Sequence, residues 1–349
     1  MQMTGELLAR VDGGVGFITL NRPQAINSLS HGMVTAMDRV LRTWAGEEEV
    51  ATVVVTGAGD RGLCAGGDVM AIYLSAKNAG GDEARKFWYD EYRLNDRIAR
   101  FPKPYVAVMD GIVMGGGVGV SAHGSVRVVT ENSKIAMPEV GIGFIPDVGG
   151  TYLLARAPGL LGLHAALTGA PFSGADAIAM GFADHFVRSG DLAAFTRAVA
   201  ADGVAAAVAT HAQPPPPSPL AAQRHWIDHC YTGQTVSDIV AALRDHAEGP
   251  ANEAAELIGT RSPIALSVAL ASIRRAAGMH SLREALVQEY RVSCASSRSH
   301  DLVEGIRAQI VDKDRTPRWN PAALSAVSEQ DIERYFQPAH PDLSFEEDE

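Results

Sequence analysis

Two apolar, β-branched runs in this chain each break into a glycine-rich turn, and that repeat limits the folds open to it. Thr52-Val53-Val54-Val55-Thr56 leads to Cys64-Ala65-Gly66-Gly67-Asp68, and Tyr105-Val106-Ala107-Val108-Met109 leads to Gly115-Gly116-Gly117. Short apolar runs bounded by turn residues read as buried strands. Val15–Leu20 and Val126–Thr130 read the same way. Between them lie helical patterns. One begins after Ser30, a candidate N-cap, with Met33, Val34, Met37, Val40 and Leu41 at helical spacing. A second spans Phe87–Phe101. Repeated strand–turn–helix units predict an α/β fold with parallel pairing.

The stretch Gln213–Pro219, QPPPPSP, cannot continue a helix and favours extended backbone. It divides the chain into an expected core, 1–212, a Pro-rich linker, 213–219, and a helical C-terminal region, 220–349. Within that region Ala265–Ala277 and Ser281–Arg291 carry the clearest helical pattern. The tail Phe345–Glu349 is acidic.

Composition narrows the partners. A net charge of −11 supplies no basic excess to neutralise phosphates, which argues against nucleic acid. Three widely spaced cysteines form no C-x-x-C pair, so neither a zinc site nor a disulfide framework is expected, and a reducing compartment fits. No eighteen-residue apolar run occurs, and Met1–Arg10 lacks the apolar segment of a secretion signal. The expectation is a cytoplasmic protein with no membrane partner.

Glycine lets backbone approach a ligand closely, and a helix start adds unpaired N–H groups and a dipole that favours negative charge. Two such turns together are the recipe for an oxyanion hole, although either alone reads more simply as a tight turn. Glu139 follows soon after in Met137-Pro138-Glu139, flanked by Val140-Gly141-Ile142-Gly143-Phe144-Ile145. A carboxylate in such surroundings pairs, shifts its pKa upward, or does chemistry; from composition alone a strand-end glutamate facing water is the better reading. Asp147, in Pro146-Asp147-Val148-Gly149-Gly150, is either a helix cap or a site residue. The motif G-x-S-x-G is absent, so a serine-hydrolase triad has no support.

These residues resemble the crotonase (enoyl-CoA hydratase/isomerase) superfamily. The resemblance runs from Asn21-Arg22-Pro23 through Ala65-Gly66-Gly67-Asp68, Asp90-Glu91-Tyr92 and Met114–Gly119 to Met137–Gly150. It continues at Glu289-Tyr290-Arg291 and Glu304-Gly305-Ile306-Arg307-Ala308 through Asp312-Lys313-Asp314. It is strongest to the 3-hydroxyisobutyryl-CoA hydrolase branch and weakest between about 191 and 259. The resemblance implies a spiral of ββα units with a helical C-terminal region. It also implies a site in which Gly67 and Gly116 bind an oxyanion, Glu139 and Asp147 are catalytic, and Glu91, Gly66, Gly116, Glu139 and Asp147 contact substrate.

One departure is informative. Hydratases of the superfamily carry a second catalytic glutamate three residues beyond the oxyanion glycine. Counting from Gly116, that position is Gly119. Hydration is usually shared by two carboxylates, so the expected activity is hydrolysis of a short-chain 3-hydroxyacyl-CoA thioester, 3-hydroxyisobutyryl-CoA of valine breakdown above all. The alternatives are a hydratase or isomerase with a rearranged carboxylate set, or a non-catalytic acyl-CoA-binding protein. No metal and no cofactor beyond substrate coenzyme A is expected, and a homo-oligomer stays open.

Overall fold

The computed structural model describes residues 5–78 and 80–345; Met1–Thr4, Ala79 and the acidic Glu346–Glu349 lie outside the described residues. Contacts gather the chain into two compact units. The first comprises 1–67, 93–136 and 172–219, and the second 68–92, 137–171 and 220–349. Each is therefore assembled from segments distant in sequence. One boundary falls at Pro219, the end of the Pro-rich stretch.

Among the described residues the first unit holds nine strands: β1 Leu7–Asp12, β2 Val15–Leu20, β3 Thr52–Gly57, β4 Tyr105–Met109, β5 Ile112–Met114, β6 Val126–Val129, β7 Lys134–Ala136, β8 Phe172–Ser173 and β9 His185–Phe186. A six-stranded sheet runs β1-β2-β3-β4-β6-β9, and a three-stranded sheet runs β5-β7-β8. β1 pairs antiparallel with β2, and the remaining pairs of the larger sheet are parallel. From β4 to β7 the chain alternates between the sheets, so each repeat contributes one strand to each layer. This is the crotonase-type α/β arrangement expected from the sequence.

All five residues of β4 are buried, as a central parallel strand requires. Val54, Val106, Val108 and Val128 pack with Phe195 and Val199 of the helix Leu192–Asp202. Ser30 caps the helix His31–Gly46, its Oγ accepting the Met33 N–H at 3.2 Å. That helix buries Met33, Val34, Met37, Val40, Leu41 and Trp44, the spacing read from sequence.

The second unit is mostly helical. The helix expected over Phe87–Phe101 spans Asp82–Ala99; Asp82 and Glu83 favour the earlier start, and Pro102 disfavours helix before it. The C-terminal helices expected from sequence run Pro263–Ala276 and Leu282–Ser296. The Glu304–Asp314 stretch closes on itself, with Arg307 paired to Glu304, Asp312 and Asp314 at 2.8, 2.6 and 2.6 Å.

Candidate active site

In the first unit the two glycine turns interlock. Cys64 N–H donates to the Ile112 carbonyl at 3.1 Å, and Met114 N–H donates to the Cys64 carbonyl at 2.9 Å. Gly117 makes this approach feasible: a Cβ there would lie 2.4 Å from the Cys64 carbonyl oxygen. Gly66 takes φ +113°, which a side chain would resist, and a Cβ on it would lie 3.9 Å from the Gly116 nitrogen. Gly66 N–H donates to Cys64 Sγ at 3.4 Å, and its carbonyl accepts Leu29 N–H at 2.8 Å. Those contacts make Gly66 the residue that shapes the turn. Gly67 follows it. Gly116 opens the one-turn helix Gly116–Gly119, where a first-turn N–H has no partner within the helix.

In the second unit four buried carboxylates gather: Glu91 on the helix Asp82–Ala99, Glu139 at the start of a 3-10 turn, Asp147 in the following loop, and Glu289 on Leu282–Ser296. Glu139 is 6 % exposed, and its Oε2 has no hydrogen-bond partner. Burial pushes its pKa well above the usual carboxylate range, and the nearby charges of Asp147, Glu289 and Glu91 push the same way. Glu91 is raised by burial and then by Asp147, and its Oε1 is likewise unpartnered. Burial lifts Asp147 to about 7.

The loop carrying Asp147 is held in an uncommon backbone conformation. Val148 has φ +53° and Gly149 φ +80°; for a β-branched residue the former is strained. Glu289 clamps the loop: its Oε2 accepts Gly149 N–H at 2.6 Å, and its Oε1 accepts Thr151 N–H at 3.0 Å and Thr151 Oγ1–H at 2.5 Å. All three contacts are donors to Glu289 and favour its carboxylate form, yet burial still lifts it to about 8. Tyr92, next to Glu91, places its hydroxyl 2.7 Å from Asp147 Oδ2 and 2.7 Å from Ser293 Oγ.

Sequence reasoning placed Glu91, Glu139 and Asp147, and the structure brings the three together in the second unit. It placed Gly66, Gly67 and Gly116; in the first unit a Cβ on Gly66 would lie 3.9 Å from the Gly116 nitrogen, and Gly67 is the next residue. It assigned no site role to Tyr92, Glu289 or Ser293. The first two stood inside resembling motifs; Ser293 carried no local signal. Arg22, in the resembling motif Asn21-Arg22-Pro23, pairs with Glu6 at 3.1 Å and donates to the Ser28 carbonyl. A cavity of about 420 Å³ in the first unit, lined in part by Arg10, Asp60, Asp110 and Arg197, includes none of the expected site residues. Among the described residues no group of three or more His, Cys, Asp or Glu side chains is arranged to hold a metal ion. No helix among them is long and apolar enough to cross a membrane.

The enoyl-CoA hydratase/isomerase family pattern matches residues 15–336. The chain is a member of the enoyl-CoA hydratase/isomerase family. A zebrafish (Danio rerio) relative named mitochondrial 3-hydroxyisobutyryl-CoA hydrolase is 40% identical over 95% of this chain and 89% of its own. A solved structure from Mycobacterium thermoresistibile, titled a carnitinyl-CoA dehydratase, is 68% identical, covers 99% of this chain and 100% of its own, and has a TM-score of 0.96. Another, titled an enoyl-CoA hydratase from Rhodobacter sphaeroides 2.4.1, is 40% identical with a TM-score of 0.93, covering 98% and 100%.

Proposed function

We propose that this protein hydrolyses a short-chain 3-hydroxyacyl-CoA thioester, first of all 3-hydroxyisobutyryl-CoA, to 3-hydroxyisobutyrate and coenzyme A. The observation that carries the reading is a buried Glu139 with an unpartnered oxygen beside Asp147, in a chain whose residue 119 is glycine. One attacking carboxylate is enough for thioester hydrolysis. Hydration or dehydration manages protons at two carbons, a task commonly shared by two carboxylates. The zebrafish relative's name agrees with this reading.

In this mechanism the amides of Gly67 and Gly116 donate to the thioester oxygen as it gains charge, contributing about 3–4 kcal/mol per donor. A base works best when its pKa is near the working pH, and the surroundings of Glu139 move it in that direction. Glu139 either removes a proton from attacking water or attacks the carbonyl itself. In the second case the C–S bond breaks to give a mixed anhydride, which water opens to the acid and free Glu139. Asp147 orients the 3-hydroxyl or passes a proton, Glu91 contacts substrate, and coenzyme A leaves as the thiol. The reaction draws on no cofactor beyond the coenzyme A of its substrate. A place in valine breakdown and in the cytoplasm belongs to the same proposal; the zebrafish relative is named mitochondrial.

The 68% identical structure titled a dehydratase favours a second reading, elimination or hydration of an acyl-CoA. A panel of acyl-CoA thioesters, followed by free-thiol release and by the absorbance of the enoyl thioester, separates the two. The expected result is thiol release from 3-hydroxyisobutyryl-CoA with negligible hydration of crotonyl-CoA. Robust hydration without thiol release would overturn the hydrolase reading.

A further inference from the structure

The second unit holds a cavity of about 260 Å³ whose lining includes none of Glu91, Glu139, Asp147 or Glu289. It forms between the start of the helix Asp82–Ala99, the helix Leu282–Ser296 and the segment 339–341. Two cations, Arg85 and Lys86, stand in this lining against one carboxylate, Asp82. Arg85 pairs with Asp82, while the exposed Lys86 has no ion-pair or hydrogen-bond partner among the described residues. Tyr290 and Cys294 are buried and hydrogen-bond to one another. Burial raises the pKa of both, so they face the cavity as a neutral hydroxyl and a neutral thiol. Each brings one hydrogen and the pair uses one, which leaves one to donate. The remaining walls are apolar: the rings of Tyr89 and Tyr290, with Ala339 and Pro341.

We infer that this cavity binds a small organic carboxylate, and that Tyr290 passes its occupancy to Asp147. The carboxylate meets Lys86 and Arg85 and accepts the hydrogen left on the Tyr290–Cys294 pair. Its carbon skeleton lies against the tyrosine rings, Ala339 and Pro341. Orthophosphate matches the charge but leaves those apolar walls uncovered. The volume falls just under the range of about 300–1,000 Å³ that holds drug-sized ligands, so the guest is an acid of a few carbons and coenzyme A is too large. The acid released in the proposed hydrolysis is of this class; that link to the reaction rests on the hydrolase reading, and the site itself does not.

Tyr290 belongs both to the cavity wall and to the packing behind Asp147. Its ring stands edge-on to Tyr89 at 5.8 Å and to Tyr92 at 6.4 Å between centroids. Tyr92 donates its hydroxyl hydrogen to Asp147 Oδ2 at 2.7 Å. The residue before Tyr290 is Glu289, which accepts the Gly149 and Thr151 amides. A guest that shifts the Tyr290 ring therefore bears on Tyr92 and on the Glu289 clamp, the two contacts that fix the Asp147 loop, without touching substrate. A close-packed interior transmits such a shift. The coupling is reciprocal, so substrate at the carboxylates changes the affinity of the cavity by the same factor.

The experiment is calorimetry on the full chain with sodium 3-hydroxyisobutyrate and, separately, sodium phosphate. Lys86→Glu puts an anion where an exposed cation stood, outside the catalytic groups, and should fold as wild type does. Wild type is expected to bind the hydroxy acid, and Lys86→Glu to bind it about tenfold more weakly or worse. Equal affinity in the two proteins would place the acid elsewhere and sink the cavity as its site. Phosphate binding as tight as the hydroxy acid would overturn the carboxylate class. In thiol release from 3-hydroxyisobutyryl-CoA, the added acid should change kcat in wild type. Lys86→Glu should match wild type without the acid and lose the response to it. A rise in KM at constant kcat, the same in both proteins, would remove the coupling through Tyr290. Absence of thiol release from every thioester would refute the hydrolase reading, and the calorimetry would still decide the site.

Discussion

The Glu289 carboxylate accepts the Gly149 amide at 2.6 Å across 140 positions of sequence. With Thr151 it fixes the loop two residues after Asp147, so the geometry of one carboxylate depends on another from the C-terminal helices. Glu289→Gln replaces an acceptor oxygen with an NH₂ facing N–H donors. The expected cost is about 1–3 kcal/mol from the unsatisfied donor. Loss of a neighbouring negative charge should also move the acidic limb of the Glu139-dependent rate to lower pH. Urea unfolding and the pH profile of thiol release test both; an unchanged unfolding midpoint would show that the clamp contributes nothing.

Glu139→Gln preserves volume and removes the base or nucleophile. Acyl-CoA affinity by calorimetry should hold within a few fold, while kcat falls by about 10²–10⁴. Near-normal thiol release would take Glu139 out of the mechanism.

Asp147→Asn keeps an acceptor oxygen for the Tyr92 hydroxyl and loses the ionisable carboxyl group. The chain should fold, with kcat reduced by about 10²–10⁴ on thioesters with and without a 3-hydroxyl. A loss confined to the hydroxylated substrates would assign Asp147 to substrate binding instead.

Gly117→Ala puts a methyl 2.4 Å from the Cys64 carbonyl oxygen, which is backbone and cannot swing aside. The two glycine turns must part. Destabilisation of about 1–3 kcal/mol is expected, with turnover lost more than tenfold as the Gly67 and Gly116 amides separate. Thermal unfolding and thiol release in parallel check this, and a variant equal to wild type in both would show that the turns need not touch.

Stability should fall as pH rises from about 4 to about 7. Asp147 titrates at about 7 in the fold, against 3.8 for the ordinary group. Between those values the unfolded chain has lost a proton that the folded chain keeps, so the unfolding free energy falls as pH rises and levels off above about 7. The difference between the plateaus is on the order of 4 kcal/mol for this residue. Glu304, held down to about 2 by Arg307, acts at the other end: its contribution is present above 4.5 and lost as pH falls through about 2. Urea midpoints at pH 5.5 and 8.5 should differ more in wild type than in Asp147→Asn; equal differences would refute the assignment.

Local patterns carried much of the fold. Apolar runs gave β2, β3 and β4 because buried parallel strands leave a composition that needs no partner to be recognised. Ser30 was legible because a cap acts on the next three residues. Gly66, Gly67, Gly116, Glu139 and Asp147 were singled out by the family resemblance of their motifs, since a glycine turn, a glutamate or an aspartate before a helix reads by itself as a tight turn, a solvated residue or a cap. Ser293 did not, because a helical serine looks the same facing water or Tyr92, and its partner lies 201 positions away. The interleaving of the two units was hidden for the same reason: no local pattern records which distant segment a strand or helix will join.

The clamp by Glu289 has a consequence for the chain as it is made. A nascent or truncated polypeptide ending before the helix Leu282–Ser296 contains both glycine turns, Glu139 and Asp147, yet it lacks the oxygens that receive Gly149 and Thr151 and the serine whose hydroxyl lies 2.7 Å from Tyr92 Oη. Such a fragment would pass any inspection for active-site motifs and still be inert. Competence therefore arrives late in synthesis, when about four-fifths of the chain already exists, and the last helices report that the rest has been completed.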